Sequence, residues 1–178
     1  MKTLVICICT YNRNESLKRC LKSLEKLNNS KKTKITILII DNTVSNQSFD
    51  MIKKIKTKFK YKIIQVNEKK RGVVNARNKA LHELKSLSPH YVSFIDDDCT
   101  INKLWLFNIL KIIKKNKADI VTGPQIYTES KKNINYTKFF EKNYNTNIKK
   151  TKWAATNNVF FLYSIIYKKK LIFDKFLN

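Results

Sequence analysis

Three consecutive carboxylates, Asp96-Asp97-Asp98, follow directly on the apolar run Tyr91–Ile95. Three like charges this close repel one another strongly unless a cation or hydrogen-bond donors compensate. In an extended chain residues i and i+2 point to the same side, so Asp96 and Asp98 can face one ligand while Asp97 faces another. Carboxylate oxygens suit Mg2+ or Mn2+, which completes its octahedron with water and a substrate diphosphate. An acidic turn or helix cap is the plainer alternative, and the triplet alone does not separate the two.

The complementary chemistry sits at Arg71-Gly72, with Arg77 a few residues on. A glycine permits close backbone approach, a helix N-terminus favours an anion, and arginine forks onto phosphate oxygens. Arginine is scarce here, since all but four of the 37 basic residues are lysine, so two within a turn or two of one helix carry more information than two lysines. Two further polar clusters are Thr10-Tyr11-Asn12-Arg13 and Asp41-Asn42.

These clusters need a scaffold, and the apolar pattern supplies one. Leu4–Cys9, Ile35–Ile40, Tyr61–Val66 and Tyr91–Ile95 are continuous apolar runs, which suit strands buried on both faces. Between them run segments of helical period: Leu17, Leu21, Leu24 and Leu27, with Asn12 or Asn14 as N-cap; then Phe49, Ile52, Ile55 and Phe59; then Val73, Ala76, Ala80 and Leu84. A strand-helix unit recurring at this spacing predicts right-handed crossovers and a doubly wound, mostly parallel α/β sheet flanked by helices.

A fourth helix is expected over Lys103–Asn116, and a fifth strand over Asp119–Thr122, stopped by Gly123-Pro124. The polar stretch 130–152 reads as a loop with a short helix around Tyr136–Tyr144. Trp153–Phe161 reads as a further strand and Ser164–Lys170 as a short helix. Ligands of open α/β sheets bind outside the carboxyl ends of the strands, and every polar cluster falls at such an end.

Taken in order, T-Y-N-R at Thr10–Arg13, D-N at Asp41-Asn42, R-G-V-V-N-A-R-N at Arg71–Asn78 and F-I-D-D-D at Phe94–Asp98 resemble the successive signatures of family 2 glycosyltransferases. Four motifs in matching order over about the first 125 residues are far more specific than any one. Trp153–Asn158 and Phe173-Asp174 resemble the family's acceptor-side strand and the segment after it, more loosely.

The resemblance implies a GT-A fold, incomplete at its C-terminus, that forms one domain over 1–178. Residues 1–125 would bind the nucleotide sugar, and 126–178 would form part of the acceptor side. It implies that Thr10, Tyr11 and Arg13 line the nucleoside pocket and that Asp41 hydrogen-bonds the base edge. Arg71 and Arg77 would address the diphosphate, Asp96 and Asp97 the ribose and donor sugar, and Asp98, with Asp96, the Mg2+ or Mn2+ ion. The implied reaction is inverting, metal-dependent transfer from a nucleoside-diphosphate sugar to a hydroxyl of a glycan, cell-surface polysaccharide or lipid-linked acceptor.

Family members typically take the general base from an E-D or D-D pair shortly after the F-D segment, and no such pair occurs in this chain. The catalytic base is therefore unassigned, and the sequence reads as a truncated or partial enzyme.

Composition bounds the alternatives. The chain has 178 residues and 43% hydrophobic residues, the profile of a folded domain. Its formal net charge of +24 raises the question of a nucleic-acid partner. The excess of Lys, Asn and Ile is what an AT-rich coding sequence produces, and the lysines lack interleaved aromatics or an arginine stripe, so no nucleic acid is expected. Peripheral contact with an anionic membrane is a secondary expectation.

A nucleotidyltransferase or P-loop fold would need a glycine-rich phosphate loop, and the only glycines are Gly72 and Gly123. Cys7, Cys9, Cys20 and Cys99 form no C-x-x-C pair, which points to reduced thiols rather than zinc or disulfides. No run is long enough for a signal peptide or a spanning helix, so a cytoplasmic location is expected, with the inner membrane face as a variant of it.

Overall fold

A computed structural model describes residues 1–29, 33–123 and 154–174. Strands β1 (Lys2–Thr10), β2 (Thr33–Asp41), β3 (Lys62–Asn67) and β4 (Tyr91–Asp96) alternate with helices α1 (Asn14–Glu25), α2 (Phe49–Lys56) and α3 (Val73–Leu87). Helix α4 (Trp105–Asn116), strands β5 (Ile120–Thr122) and β6 (Asn158–Leu162), and helix α5 (Tyr163–Lys168) follow. One six-stranded sheet results, in the order β3-β2-β1-β4-β6-β5. The first four strands are parallel, and β6 runs antiparallel between β4 and β5.

The apolar runs are continuous because both sheet faces are covered. Leu4, Ile6 and Ile8 of β1 pack with Leu17, Leu21 and Leu24 of α1 and with Trp105 and Leu106 of α4. Val5 and Cys7 point the other way, into a cluster with Ala76, Ala80 and Leu84 of α3 and Ile166 of α5. Each large side chain buried in these layers contributes about 1.5–3 kcal/mol. The small side chains of Ala76 and Ala80 let α3 lie close to the sheet beside Leu38 and Ile40, which brings the start of α3 to the strand ends.

Several boundaries differ from the sequence pattern, each for a local reason. Val73 is exposed at the first turn of α3 rather than facing the core, because the helix begins beyond the sheet edge; Val74 is buried instead. The residue before α1 is Arg13, with no side-chain cap; Asn12 takes a positive φ of 53°, and Asn14 donates across to the Gln47 carbonyl at 3.4 Å. Helix α4 starts at Trp105 rather than Lys103, since the Asn102 side chain accepts from the Leu104 N–H in a turn.

Strand β6 begins at Asn158, later than the apolar run suggests, because the Asn158 N–H closes a turn onto the Ala155 carbonyl. Helix α5 covers Tyr163–Lys168 rather than running to Lys170. The loop and short helix expected over 130–152 lie outside the described residues, as does Trp153. All four cysteines are free thiols, and burial pushes the Cys9 thiol up to about 12 and the Cys99 thiol up to about 11. Among the described residues no helix is long and apolar enough to cross a membrane.

Candidate nucleotide-sugar site

Strand register alone aligns the polar clusters. Thr10 pairs with Asp41, Asp41 with Asn67, and Cys9 with Asp96. The carboxyl ends of β3, β2, β1 and β4 therefore form one edge. Between β1 and β4 the connections diverge, with α1 on one face and α3 on the other, the kind of crevice in which open α/β sheets bind ligands.

An open cleft of about 320 Å3 occupies this position. Thr10, Tyr11 and Arg13 line it from the β1–α1 turn, Arg71, Gly72, Val73 and Arg77 from the start of α3, and Asp96 and Asp97 from the end of β4. The Arg71 guanidinium lies over the Tyr11 ring, 5.2 Å from its centroid, an arrangement that presents a flat cationic and aromatic wall.

The acidic triplet divides its partners. The Asp97 carboxylate is buried; it accepts from the Thr10 hydroxyl at 2.7 Å and from Arg13 at 3.4 Å. Asp98 is exposed at the rim and faces the same Arg13 nitrogen at 3.2 Å. Asp96 faces Arg77 at 3.5 Å. These separations exceed the 2.7–2.9 Å or so of a tight charge-assisted bond. The two arginines offset the repulsion without locking the carboxylates, so an incoming ligand can exchange them. The compensation anticipated for the triplet is thus supplied in part by the protein itself.

Burial raises the pKa of Asp96, against the opposing pull of Arg77, and burial likewise raises that of Asp97, against the hydrogen bond from Thr10. A carboxyl whose pKa is raised by folding binds its proton more tightly in the native state, so its contribution to stability falls as pH rises through the window above the ordinary carboxylate value. Asp96→Asn removes this penalty. Its melting temperature should match wild type near pH 3.5 and exceed it by a growing margin towards pH 7, as followed by circular dichroism. A difference that is constant with pH would rule out the assigned cause.

Asp41 lies beneath the cleft rather than in it. It is 1% exposed, and its carboxylate accepts from the N–H and hydroxyl groups of both Thr43 and Ser48. The neighbouring Asn42 reaches the cleft instead. Its amide donates to the Glu68 and Lys70 carbonyls at 2.7 and 2.8 Å and accepts from the Gly72 N–H at 2.8 Å. Gly72 has φ 126°, where any side chain would be strained. Asn42 and Gly72 together set the path on which Arg71 enters α3.

A second organising pair joins residues 95 positions apart. The Asn78 side chain donates to the Phe173 carbonyl at 2.9 Å and accepts from the Phe173 N–H at 2.8 Å. The Phe173 ring then packs under Arg77, 5.6 Å from its guanidinium, and edge-on to Phe94. Sequence reasoning gave Asn42 and Asn78 no role, although both lie within recognised motifs, because their partners are backbone groups that leave no mark in the sequence.

Among the described residues no three acidic, histidine or cysteine side chains are grouped as a ready-made metal cage. Mg2+ and Mn2+ do not require one, since such ions are held by one or two carboxylates with water and substrate phosphates. The partly exposed carboxylates of Asp96 and Asp98 fit that donor set.

A mixed six-stranded α/β sheet with a polar cleft at its carboxyl edge defines the class, that of GT-A glycosyltransferase folds. The chain belongs to glycosyltransferase family 2: the profile described as "Glycosyl transferase family 2" matches residues 5–172. Among curated relatives it is 26% identical over 117 residues to the succinoglycan biosynthesis protein ExoM of Rhizobium meliloti (strain 1021), covering 66% of this chain and 37% of that protein. It is 29% identical over 121 residues to the poly(ribitol-phosphate) beta-N-acetylglucosaminyltransferase TarS of Staphylococcus aureus (strain Mu50 / ATCC 700699), covering 68% and 20%.

The crystal structure of S. aureus TarS 1-349 in complex with UDP superposes with TM-score 0.68 at 21% identity, over 99% of this chain and 51% of that one. The mannosyltransferase PcManGT from Pyrobaculum calidifontis, in complex with GDP-Man and Mn2+, superposes with TM-score 0.70 at 14% identity, over 93% and 46%. The matches to the two curated relatives thus span little more than a third of the first and a fifth of the second.

Proposed function

We propose that the cleft binds a nucleoside-diphosphate sugar, and that this chain forms the donor half of an inverting, metal-dependent transferase acting on a hydroxyl acceptor. The observation that carries the reading is the loosely paired set of Asp96, Asp97 and Asp98 with Arg13 and Arg77 at the carboxyl edge of the sheet. A donor brings the two charges this set lacks. Its diphosphate would draw Arg77 away from Asp96, and Asp98 and Asp96 would hold the accompanying cation.

In this arrangement Thr10, Tyr11 and Arg13 line the nucleoside pocket. Asp41 holds the β2–α2 connection that frames it, acting through the chain rather than by direct contact with the base. Arg71 and Arg77 face the diphosphate, and Asp96 and Asp97 lie toward ribose and sugar. Bound Mg2+ or Mn2+ stabilises negative charge on a departing diphosphate. In transfer the acceptor oxygen bonds to the anomeric carbon as the bond to the phosphate oxygen breaks, and the electron pair leaves with the nucleotide. The hydroxyl proton requires a carboxylate base, which we assign to no residue of this chain.

Residues 1–125 form the donor part and 126–178 a partial acceptor-side part. The acceptor class is a glycan, a cell-surface polysaccharide or a lipid-linked sugar, in keeping with the names of the two relatives, and the location is cytoplasmic. A thermal-shift titration tests the reading. UDP or GDP should raise the melting temperature by about 5–10 °C when Mn2+ or Mg2+ is present and by much less without it. Stabilisation by oligonucleotides with no metal requirement would sink it.

A further inference from the structure

The end of the sheet opposite the cleft carries a different chemistry. Strands β1, β2 and β3 start there with exposed Lys2, Lys34 and Lys62; the register pairs Lys34 with Thr3 and Lys62 with Thr36, so Lys34 and Lys62 rise from one face of the sheet and Lys2 from the other. Helix α2 ends at the same place with exposed Lys56 and Lys58. Lys60 reaches from this connection to the Glu25 and Leu27 carbonyls at the end of α1, which shows that the helix ends and strand starts meet on one surface. Asp41 and Asp96 to Asp98 belong to the other end, while Glu25 at the end of α1 and exposed Asp119 before β5 share this one.

Codon bias accounts for a surplus of lysine over the surface as a whole. The helix dipole favours cations at helix C-termini and so accounts for Lys56. It has no bearing on Lys2, Lys34 and Lys62, which open strands. Beside Lys2 a shallow groove is lined by His90, Tyr91, Tyr163 and Tyr167, with Tyr167 73% exposed. Exposed tyrosine beside lysine is a composition suited to a surface that rests at lipid headgroups.

We propose that this strand-start end docks on an anionic lipid bilayer, leaving the cleft open to the aqueous phase. A bilayer fits better than a nucleic acid, because the surface offers point-charge ammonium groups, whereas Arg13, Arg71 and Arg77, the planar forks suited to phosphodiesters, line the opposite end. The proposal does not rest on the donor-binding reading.

Sedimentation with vesicles of phosphatidylcholine alone, and of phosphatidylcholine mixed equally with phosphatidylglycerol, tests it. The chain should bind the mixed vesicles at low salt, ignore the neutral ones, and be released as ionic strength rises from about 0.1 M to 1 M. Lys34→Glu/Lys62→Glu and, independently, Lys56→Glu/Lys58→Glu should each weaken binding at least about tenfold with the cooperative melt retained. Lys69→Glu/Lys70→Glu, the same change in charge at the cleft end, should alter it less than about twofold. Equal loss in all three variants, equal binding to neutral vesicles, or binding to oligonucleotides with none to vesicles overturns the proposal.

Discussion

Asp98→Ala is expected to remove the metal-dependent part of nucleoside-diphosphate binding while leaving the fold intact. Asp98 is the most exposed of the three carboxylates, and its partner among the described residues, Arg13, is itself 59% exposed. An ion pair this open to solvent contributes little to stability, so the substitution costs the free protein almost nothing. It also removes one charge from a repelling triplet, so the free melting temperature should hold or rise slightly.

The bound state behaves differently. If the cation raises donor affinity about a hundredfold, its contribution is about 2.7 kcal/mol. For a chain of this size that corresponds to roughly 5–10 °C of melting temperature. The variant should lose this manganese-dependent increment and keep only the shift that UDP produces in the presence of a chelator. Isothermal titration with and without Mn2+ gives the same comparison as an affinity. Retention of the full manganese effect in Asp98→Ala would show that the cation, if bound, is held elsewhere.

The second large effect concerns folding. Asp41→Ala should destabilise the chain by about 3–4 kcal/mol, because it strands two backbone N–H groups and two hydroxyls in a site that is 1% exposed. The melting temperature should fall by roughly 10 °C. Asp41→Asn keeps the shape but offers one acceptor oxygen in place of two, so it should recover less than half of the loss.

The consequences reach the cleft by two routes. Asn67 donates to the Asp41 and Thr43 carbonyls at 2.9 and 2.7 Å, and Asn42, next in the chain, holds Glu68, Lys70 and Gly72. Nucleotide affinity should therefore fall along with stability in Asp41→Ala. Had Asp41 only contacted a base, affinity would fall with the melting temperature unchanged. The two measurements together separate a framing residue from a ligand-contacting one.

Much of this protein was written in local sequence. The runs at Leu4–Cys9, Ile35–Ile40 and Tyr91–Ile95 are β-branched and apolar because each strand is covered on both faces, and the Leu17, Leu21 and Leu24 spacing is that of one buried helical stripe. Such patterns depend on the period of a strand or a helix, so a single segment reveals them. The placement of the acidic triplet needed only one more rule, that strand ends share an edge.

What the sequence could not carry is pairing across distance. Arg13 meets Asp97 over 84 residues, and Asn78 meets Phe173 over 95, contacts that exist only once the strand order β1-β4 and the close approach of α3 are established. The sequence alone determined that Asp96, Asp97 and Asp98 stand at the end of a buried strand. The tertiary structure decided their separate circumstances, with Asp97 buried against Thr10, Asp96 turned to Arg77 and Asp98 open at the rim. Burial and partner are properties of the surrounding packing, and three identical residues in a row have no other means of becoming different.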